Sequence, residues 1–183
     1  MTKFIFVRHG ESEANRDFKI GELGTRLTEK GIEQAQKTGR ALKDMHITTV
    51  VCSAFVRAQQ TAEIIAGELA IPLRSIRIID DLAERRMGAY EGQKKEHPTD
   101  WYYSAEAEDP EFEPRADLLK RMHRVLGEIE ELSKDGMVLV VGHALSGFFL
   151  SEAAKRVERA EDLPAGSNML NASYIVIEVT HGK

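Results

Sequence analysis

Three short apolar runs, each rich in β-branched residues and each stopping at a polar side chain, limit what this chain can fold into. Phe4-Ile5-Phe6-Val7 ends at Arg8-His9-Gly10-Glu11, Thr49-Val50-Val51-Cys52 at Ser53, and Val138-Leu139-Val140-Val141 at Gly142-His143. Runs this short and continuous read as parallel strands buried on both faces. Helical periods separate them. Thr28 predicts the N-cap of a helix reaching about Met45. Ser53 predicts the cap of a second helix, with Ala58, Ala62, Ile65 and Leu69 as its apolar stripe. Leu118, Met122, Val125, Ile129 and Leu132 mark a long amphipathic helix closed by Gly136, and another helix is expected from about Leu145 to Val157. Further strands are expected over 76–79 and 173–179. Strands alternating with helices predict an α/β fold, a three-layer α/β/α sandwich with a mostly parallel central sheet.

A chain of 183 residues fits one domain, 1–183, with a sizeable core. The stretch at about 85–117 breaks the alternation. It has no clear period and contains Pro98, Pro110 and Pro114, so it reads as an irregular insertion over the strand ends. A net charge of −5 argues against nucleic acid or an acidic membrane as partner. The first apolar run is too short for a signal peptide or a membrane span, and a cytoplasmic location is expected. Cys52, the only cysteine, reads as a small buried apolar residue.

Open α/β sheets bind ligands at the carboxyl ends of their strands. Three strands therefore aim His9, His143, Arg8 and Arg57 at one edge. Neutral imidazole is a nucleophile and guanidinium a planar clamp for phosphate oxygens, a combination that suits phosphoryl transfer through a phosphohistidine. Gly10 lets the backbone approach a ligand closely, and Arg57 sits near a helix N-terminus, where anions are favoured. Glu84 stands a few residues beyond the third strand and is placed to protonate a leaving alkoxide and then activate water. Taken singly, each of these residues has an ordinary reading as a solvated arginine, structural histidine or loop glutamate. Their coincidence at strand ends changes the balance. His46, His97, His123 and His181 read as surface residues. No cysteine cluster, EF-hand or His-Glu-x-x-His points to a metal, and no cofactor is expected.

Six blocks, in order, resemble the histidine phosphatase superfamily, also called the phosphoglycerate mutase-like fold. They are Arg8-His9-Gly10-Glu11-Ser12 with Asn15; Leu27-Thr28 with Gly31 and Gln34-Ala35; Ser53 with Arg57-Ala58 and Gln60-Thr61-Ala62; Leu82 with Glu84, Gly88 and Glu91-Gly92; Val141-Gly142-His143; and Asn171-Ala172-Ser173. The resemblance implies that His9 is phosphorylated, that Arg8, Arg57 and His143 complete the phosphate pocket, and that Asn15 and the backbone beside Ala144 assist. It gives Glu84 the acid and base role, in a reaction that needs no metal. His143 is then expected to be protonated against the phosphate, and Glu84 to begin protonated.

The resemblance also raises an alternative. Sugar-phosphate mutases of the family carry Glu-Arg-His-Tyr-Gly around the proton donor, and this chain has Glu84-Arg85-Arg86-Met87-Gly88. Arg85 is kept, and Lys95 matches the mutases' substrate lysine. Against a mutase stand the shortness of the insertion and its carboxylates, Glu106, Glu108, Asp109, Glu111 and Glu113, which make a poor clamp for a bisphosphate if they face the site. Pro114-Arg115-Ala116-Asp117 replaces the Gly-Gly-Glu-Ser common in small phosphatases of the family. The sequence thus points to a phosphatase acting on a small phosphorylated metabolite, with a phosphoprotein substrate and the oligomeric state left open. A binding protein without activity ranks last, because no core histidine or arginine is missing.

Overall fold

The computed structural model describes residues 2–98, 101–104, 109–164 and 169–180. Ten principal elements follow the chain: β1 Lys3–Arg8, α1 Glu13–Arg16, α2 Glu29–Ala41, β2 Ile47–Cys52, α3 Val56–Glu68, β3 Arg77–Ile78, α4 Arg115–Leu132, β4 Met137–Gly142, α5 Ala144–Ala154 and β5 Tyr174–Glu178. The strands form one sheet in the order β3-β2-β4-β1-β5. All neighbours pair in parallel except β5, which runs antiparallel to β1.

The two faces of the sheet follow from the two-residue side-chain period of a strand. Phe4, Phe6, Val138 and Val140 point into a core shared with α4 and α5. Ile5, Val7, Leu139 and Val141 point the other way, into a core shared with α3, on which α2 packs. The central strands β1 and β4 are thus buried on both faces, which explains their uninterrupted apolar sequence. Phe4 and Phe6 are wholly enclosed, each worth about 1.5–3 kcal/mol relative to exposure. At the edge, β5 leaves Tyr174, Ile175 and Val176 partly in water.

Boundaries differ from the sequence expectation where local geometry intervenes. The second helix ends at Ala41, and Lys43–Met45 form a separate 3-10 turn that closes on His46 in a left-handed conformation, φ 50°. β3 keeps only Arg77–Ile78 of the expected 76–79. α5 stops at Ala154, short of Val157. Ser53 does not cap α3; Phe55 holds that position without a side-chain cap. Within the insertion, the described backbone makes 3-10 turns at Gly88–Tyr90 and Trp101–Tyr103. Glu106, Glu108 and His181 lie outside the described residues.

Candidate active site

The ends of β1, β2 and β4 meet side by side. Beyond the ladder, His9 N–H donates to Gly142 O at 3.0 Å and Ser53 N–H to Val141 O at 3.0 Å. These bonds carry the sheet's register into the loops, fixing His9, Ser53 and His143 relative to one another. The His9 and His143 rings stand edge to face, 5.2 Å between centroids.

His9 is oriented by its own neighbour. Its Nδ1 lies 2.7 Å from Gly10 O, and because a carbonyl can only accept, Nδ1 carries the proton. Nε2 therefore presents a lone pair, which receives the Nε–H of Arg57 at 3.2 Å. Burial, then the charges of Arg57 and Arg8, hold the His9 imidazole well below its usual titration range. Gly10 itself is occupied elsewhere: its N–H donates to Thr61 Oγ1 at 3.1 Å. A Cβ on Gly10 would stand 2.4 Å from Gly31 O, so glycine is required for the loop to lie against α2. Gly10 thus orients His9 and does not line the pocket.

Arg57 spans the site from the first turn of α3. One terminal nitrogen donates to Glu22 O at 2.8 Å, and the guanidinium lies over the Phe55 ring, 4.6 Å to the centroid. Arg8 bonds the Met169 carbonyl through a terminal nitrogen, while its buried Nε meets no hydrogen-bond partner among the described residues. His143 is fully buried, with Phe55 edge-on at 4.9 Å. Its Nε2 lies 2.8 Å from Ser53 Oγ. That oxygen also accepts Phe55 N–H at 3.3 Å, and with its second lone pair and its one hydrogen it serves either tautomer of the ring. His143 Nδ1 is buried with no hydrogen-bond partner among the described residues. Burial, followed by Arg57, His9 and Arg8, pushes its titration well down, so the expected imidazolium is not present before an anion binds. Buried nitrogens left in this state, Arg8 Nε and His143 Nδ1, are groups that an added anion would satisfy.

Asn15 turns its Oδ1 inward, accepting from Ser12 N at 3.1 Å, Ser12 Oγ at 3.0 Å and Asn171 Nδ2 at 3.2 Å. Its amide nitrogen is the face left for a ligand. Glu84 is half-buried beside α5. Its Oε1 accepts Ser146 N–H at 3.0 Å and Arg85 N–H at 3.0 Å, and its Oε2 accepts Leu145 N–H at 3.2 Å. Ala144 opens α5 directly after His143.

These groups border a cavity of about 70 Å³, several times the ~10–15 Å³ that one water needs. Arg8, His9, Asn15, Arg57, Glu84, Arg85 and Lys95 all line it; Gly10, His143 and Ala144 stand behind its wall. Lys95 is pushed below its usual range by burial and by Arg8, with Glu84 acting in the opposite sense. The cavity wall carries five cationic side chains, Arg8, Lys19, Arg57, Arg85 and Lys95, against the carboxylates Glu84 and Glu91. Of the insertion's carboxylates whose direction the sequence left open, the described ones are engaged by other groups: Asp109 accepts from Tyr90 Oη, Glu111 from Ala89 N–H, and Glu113 pairs with Arg121. Among the described residues, no group of three or more metal-ligating side chains forms, and no helix is long and apolar enough to cross a membrane. Cys52 is inert, its thiol pushed up to about 12 by burial and Glu63.

Sequence reasoning gave no site role to five residues, although Ser53, Thr61 and Asn171 stand in the blocks that resemble the family. Ser53 serves His143. Thr61 takes the Gly10 N–H. Asn171 Nδ2 reaches His9 O at 3.1 Å as well as Asn15. Glu113 and its partner Arg121 hold the Glu84 loop. Only Ser53, a polar residue at a strand end, carried a local signal.

The chain is similar to known proteins in sequence and in fold. The zebrafish (Danio rerio) protein named fructose-2,6-bisphosphatase TIGAR B is 46% identical over 94 residues, covering 50% of this chain and 37% of the relative. The 2,3-bisphosphoglycerate-dependent phosphoglycerate mutase of Thermoplasma acidophilum is 30% identical, covering 98% of this chain and 88% of the relative. Bacillus stearothermophilus YhfR superposes with a TM-score of 0.83 at 26% identity, over 100% of this chain and 93% of the other. The pattern of the histidine phosphatase superfamily (branch 1) matches residues 4–183, and the chain belongs to that family.

Proposed function

We propose that the protein is a metal-independent phosphomonoesterase that works through a phosphohistidine on His9. The observation that carries this reading is the split use of the His9 ring: Nδ1–H is committed to Gly10 O, so Nε2 is the unprotonated nitrogen, and its lone pair, which accepts Arg57 Nε–H here, becomes the nucleophile when Arg57 turns to the phosphate. We read 1–183 as one catalytic unit, cytoplasmic, with residues 85–117 as its substrate-facing cover.

A phosphate seated in the cavity takes the bonds that Arg8 Nε and His143 Nδ1 lack, together with the Arg57 fork and the Asn15 amide. His9 Nε2 attacks phosphorus while the bond to the leaving oxygen breaks. Glu84 gives that oxygen its proton. Water then attacks the phosphohistidine, Glu84 takes the proton, and the P–N bond opens to return neutral His9 and inorganic phosphate. The cationic wall stabilises the equatorial oxygens through both transfers. The small cavity suits a metabolite better than a folded phosphoprotein.

One observation favours a second reading. Lys19, Arg85 and Lys95 add positive charge beyond what one phosphate needs, and a mutase uses such charge to hold the second phosphate of an intermediate. One assay separates the readings, with phosphate release and isomerisation measured in the same tubes. Steady release without a bisphosphate primer is expected, with acid-labile label trapped on His9 after an alkaline quench. His9→Ala should lower turnover by about 10⁴-fold or more. Fast isomerisation switched on by catalytic 2,3-bisphosphoglycerate, with little phosphate released, would replace hydrolysis by mutase chemistry. Label on a hydroxyl group would remove His9 as nucleophile.

A further inference from the structure

Arg121 and Glu113 form an ion pair with side chains only 3% and 6% exposed. The pair is bidentate, with Arg121 Nε on Glu113 Oε1 at 2.9 Å and a terminal nitrogen on Oε2 at 2.7 Å. Buried pairs of this kind repay their desolvation poorly, and apolar side chains of similar volume hold a core as well. Stability alone is therefore a weak reason for this one, and its remaining bonds converge on a short stretch of chain. Arg121 donates to the carbonyls of Asp81, Ala83 at 2.8 Å and Glu84 at 3.3 Å. Glu113 takes Arg86 N–H on Oε2 at 3.2 Å, donates its own N–H to Arg86 O at 2.9 Å, and accepts Arg85 Nε on its carbonyl at 2.8 Å. Arg121 grips the main chain before and at Glu84; Glu113 grips the two residues after it.

We infer that the Arg121–Glu113 pair is the positioning device for Glu84, fixing the proton donor's main chain so that its carboxylate meets both the pocket and the N-terminus of α5. The inference rests on the reading of Glu84 as acid and base. The segment has no sheet ladder to hold it: it follows a single 3-10 turn at Asp80–Leu82 and then runs irregularly. Neither partner lines the cavity, so neither is a catalytic residue. Without the pair, the carbonyls of Asp81, Ala83 and Glu84 and the Arg86 N–H lose these side-chain partners, and a proton donor displaced by 1 Å can cost about 100-fold in rate.

The test uses leaving groups. An alkoxide needs a proton to depart, whereas nitrophenolate hardly does. The variant Arg121→Met/Glu113→Met removes both charges together, which avoids stranding one of them. Single-turnover phosphorylation of His9 should fall by about 10- to 100-fold more with an alkyl phosphate than with 4-nitrophenyl phosphate, with little change in KM. Combined with Glu84→Gln, the double variant should cause no further loss on the alkyl ester. Should it fail to fold, as judged by its thermal transition, Glu113→Gln reads the same ratio with the side-chain shape retained. Equal losses on both esters, or losses that multiply with Glu84→Gln, would leave the pair a merely structural clamp and overturn the inference. If Glu84→Gln itself showed no leaving-group dependence, the acid assignment would fall and take the inference with it. If Glu84→Gln showed the dependence and the pair variants did not, only the inference would fall.

Discussion

The two sides of the cavity are built by opposite means. The phosphate side, His9, Arg8, Arg57 and His143, hangs from β1, β4 and the start of α3, where the His9 N–H to Gly142 O bond carries the β1–β4 ladder into the loop. The leaving-group side, Glu84, Arg85 and Lys95, rides on turns and irregular chain, held by side-chain contacts such as Glu113 with Arg121 and Tyr90 with Asp109. A phosphoryl group is the same in every monoester, so a rigid frame serves it. Leaving groups differ, and a wall made of turns can be altered without disturbing the sheet. On the proposed reading, the first side handles the phosphoryl group common to all substrates, and the second carries the proton donor Glu84 together with the groups that meet the leaving group.

That division predicts unequal penalties. The sharpest case is Arg57, whose Nε serves His9 while a terminal nitrogen holds Glu22 O. An ammonium cannot reproduce both from one planar fork. Arg57→Lys and Arg57→Ala should each lower kcat/KM by about 10²–10³-fold, on alkyl and aryl phosphates alike. A lysine variant with full activity would move Arg57 out of the rigid frame.

A second prediction reads the same frame through acid stability. The folded chain holds His9 and His143 well below 6.5, whereas both titrate near that value when unfolded. As pH falls beneath about 6.5 the unfolded state takes up protons that the folded state refuses. Stability should therefore drop on acidification by up to ~1.4 kcal/mol per pH unit for each histidine, and show no such slope above 6.5. Urea midpoints between pH 7 and pH 5.5 would measure it, and His9→Asn should remove about half of the slope. A flat profile would mean that the two rings are not held neutral.

The smallest effect is expected on the other wall. Lys95→Met should raise KM for a substrate bearing a second anionic group by about 10-fold, leaving kcat on 4-nitrophenyl phosphate nearly intact. A loss matching that of Arg57→Lys would erase the distinction between the two sides.

How legible each side was follows the same line. β1 and β4 could be read directly, because strands buried on both faces have no polar positions to blur the run, and the polar residue that ends such a run must face the sheet's edge. His9, Arg8 and His143 were found that way, and Arg57 by its place on a first helical turn. Glu84 had no such signal and came from resemblance to the family. Glu113 was read only as one of several insertion carboxylates unsuited to clamp a bisphosphate, and it lies buried on Arg121. Arg121 sits on a helix whose apolar stripe gave no hint of a buried charge. Ser53 looked like a helix cap and proved to be the partner of His143, because the strand end places its hydroxyl against a ring 90 residues away in sequence.

By itself the sequence determined which segments are strands and helices, and which side chains leave the sheet's edge together. Periodicity and strand termini are local properties, and they survive in one dimension. Tertiary structure alone decided which nitrogen of the His9 imidazole carries the proton, which charges are paired and buried, and which partners Asp109, Glu111 and Glu113 take. Those outcomes depend on contacts between residues far apart in sequence and on the water that packing removes, and neither is written in any single stretch of chain.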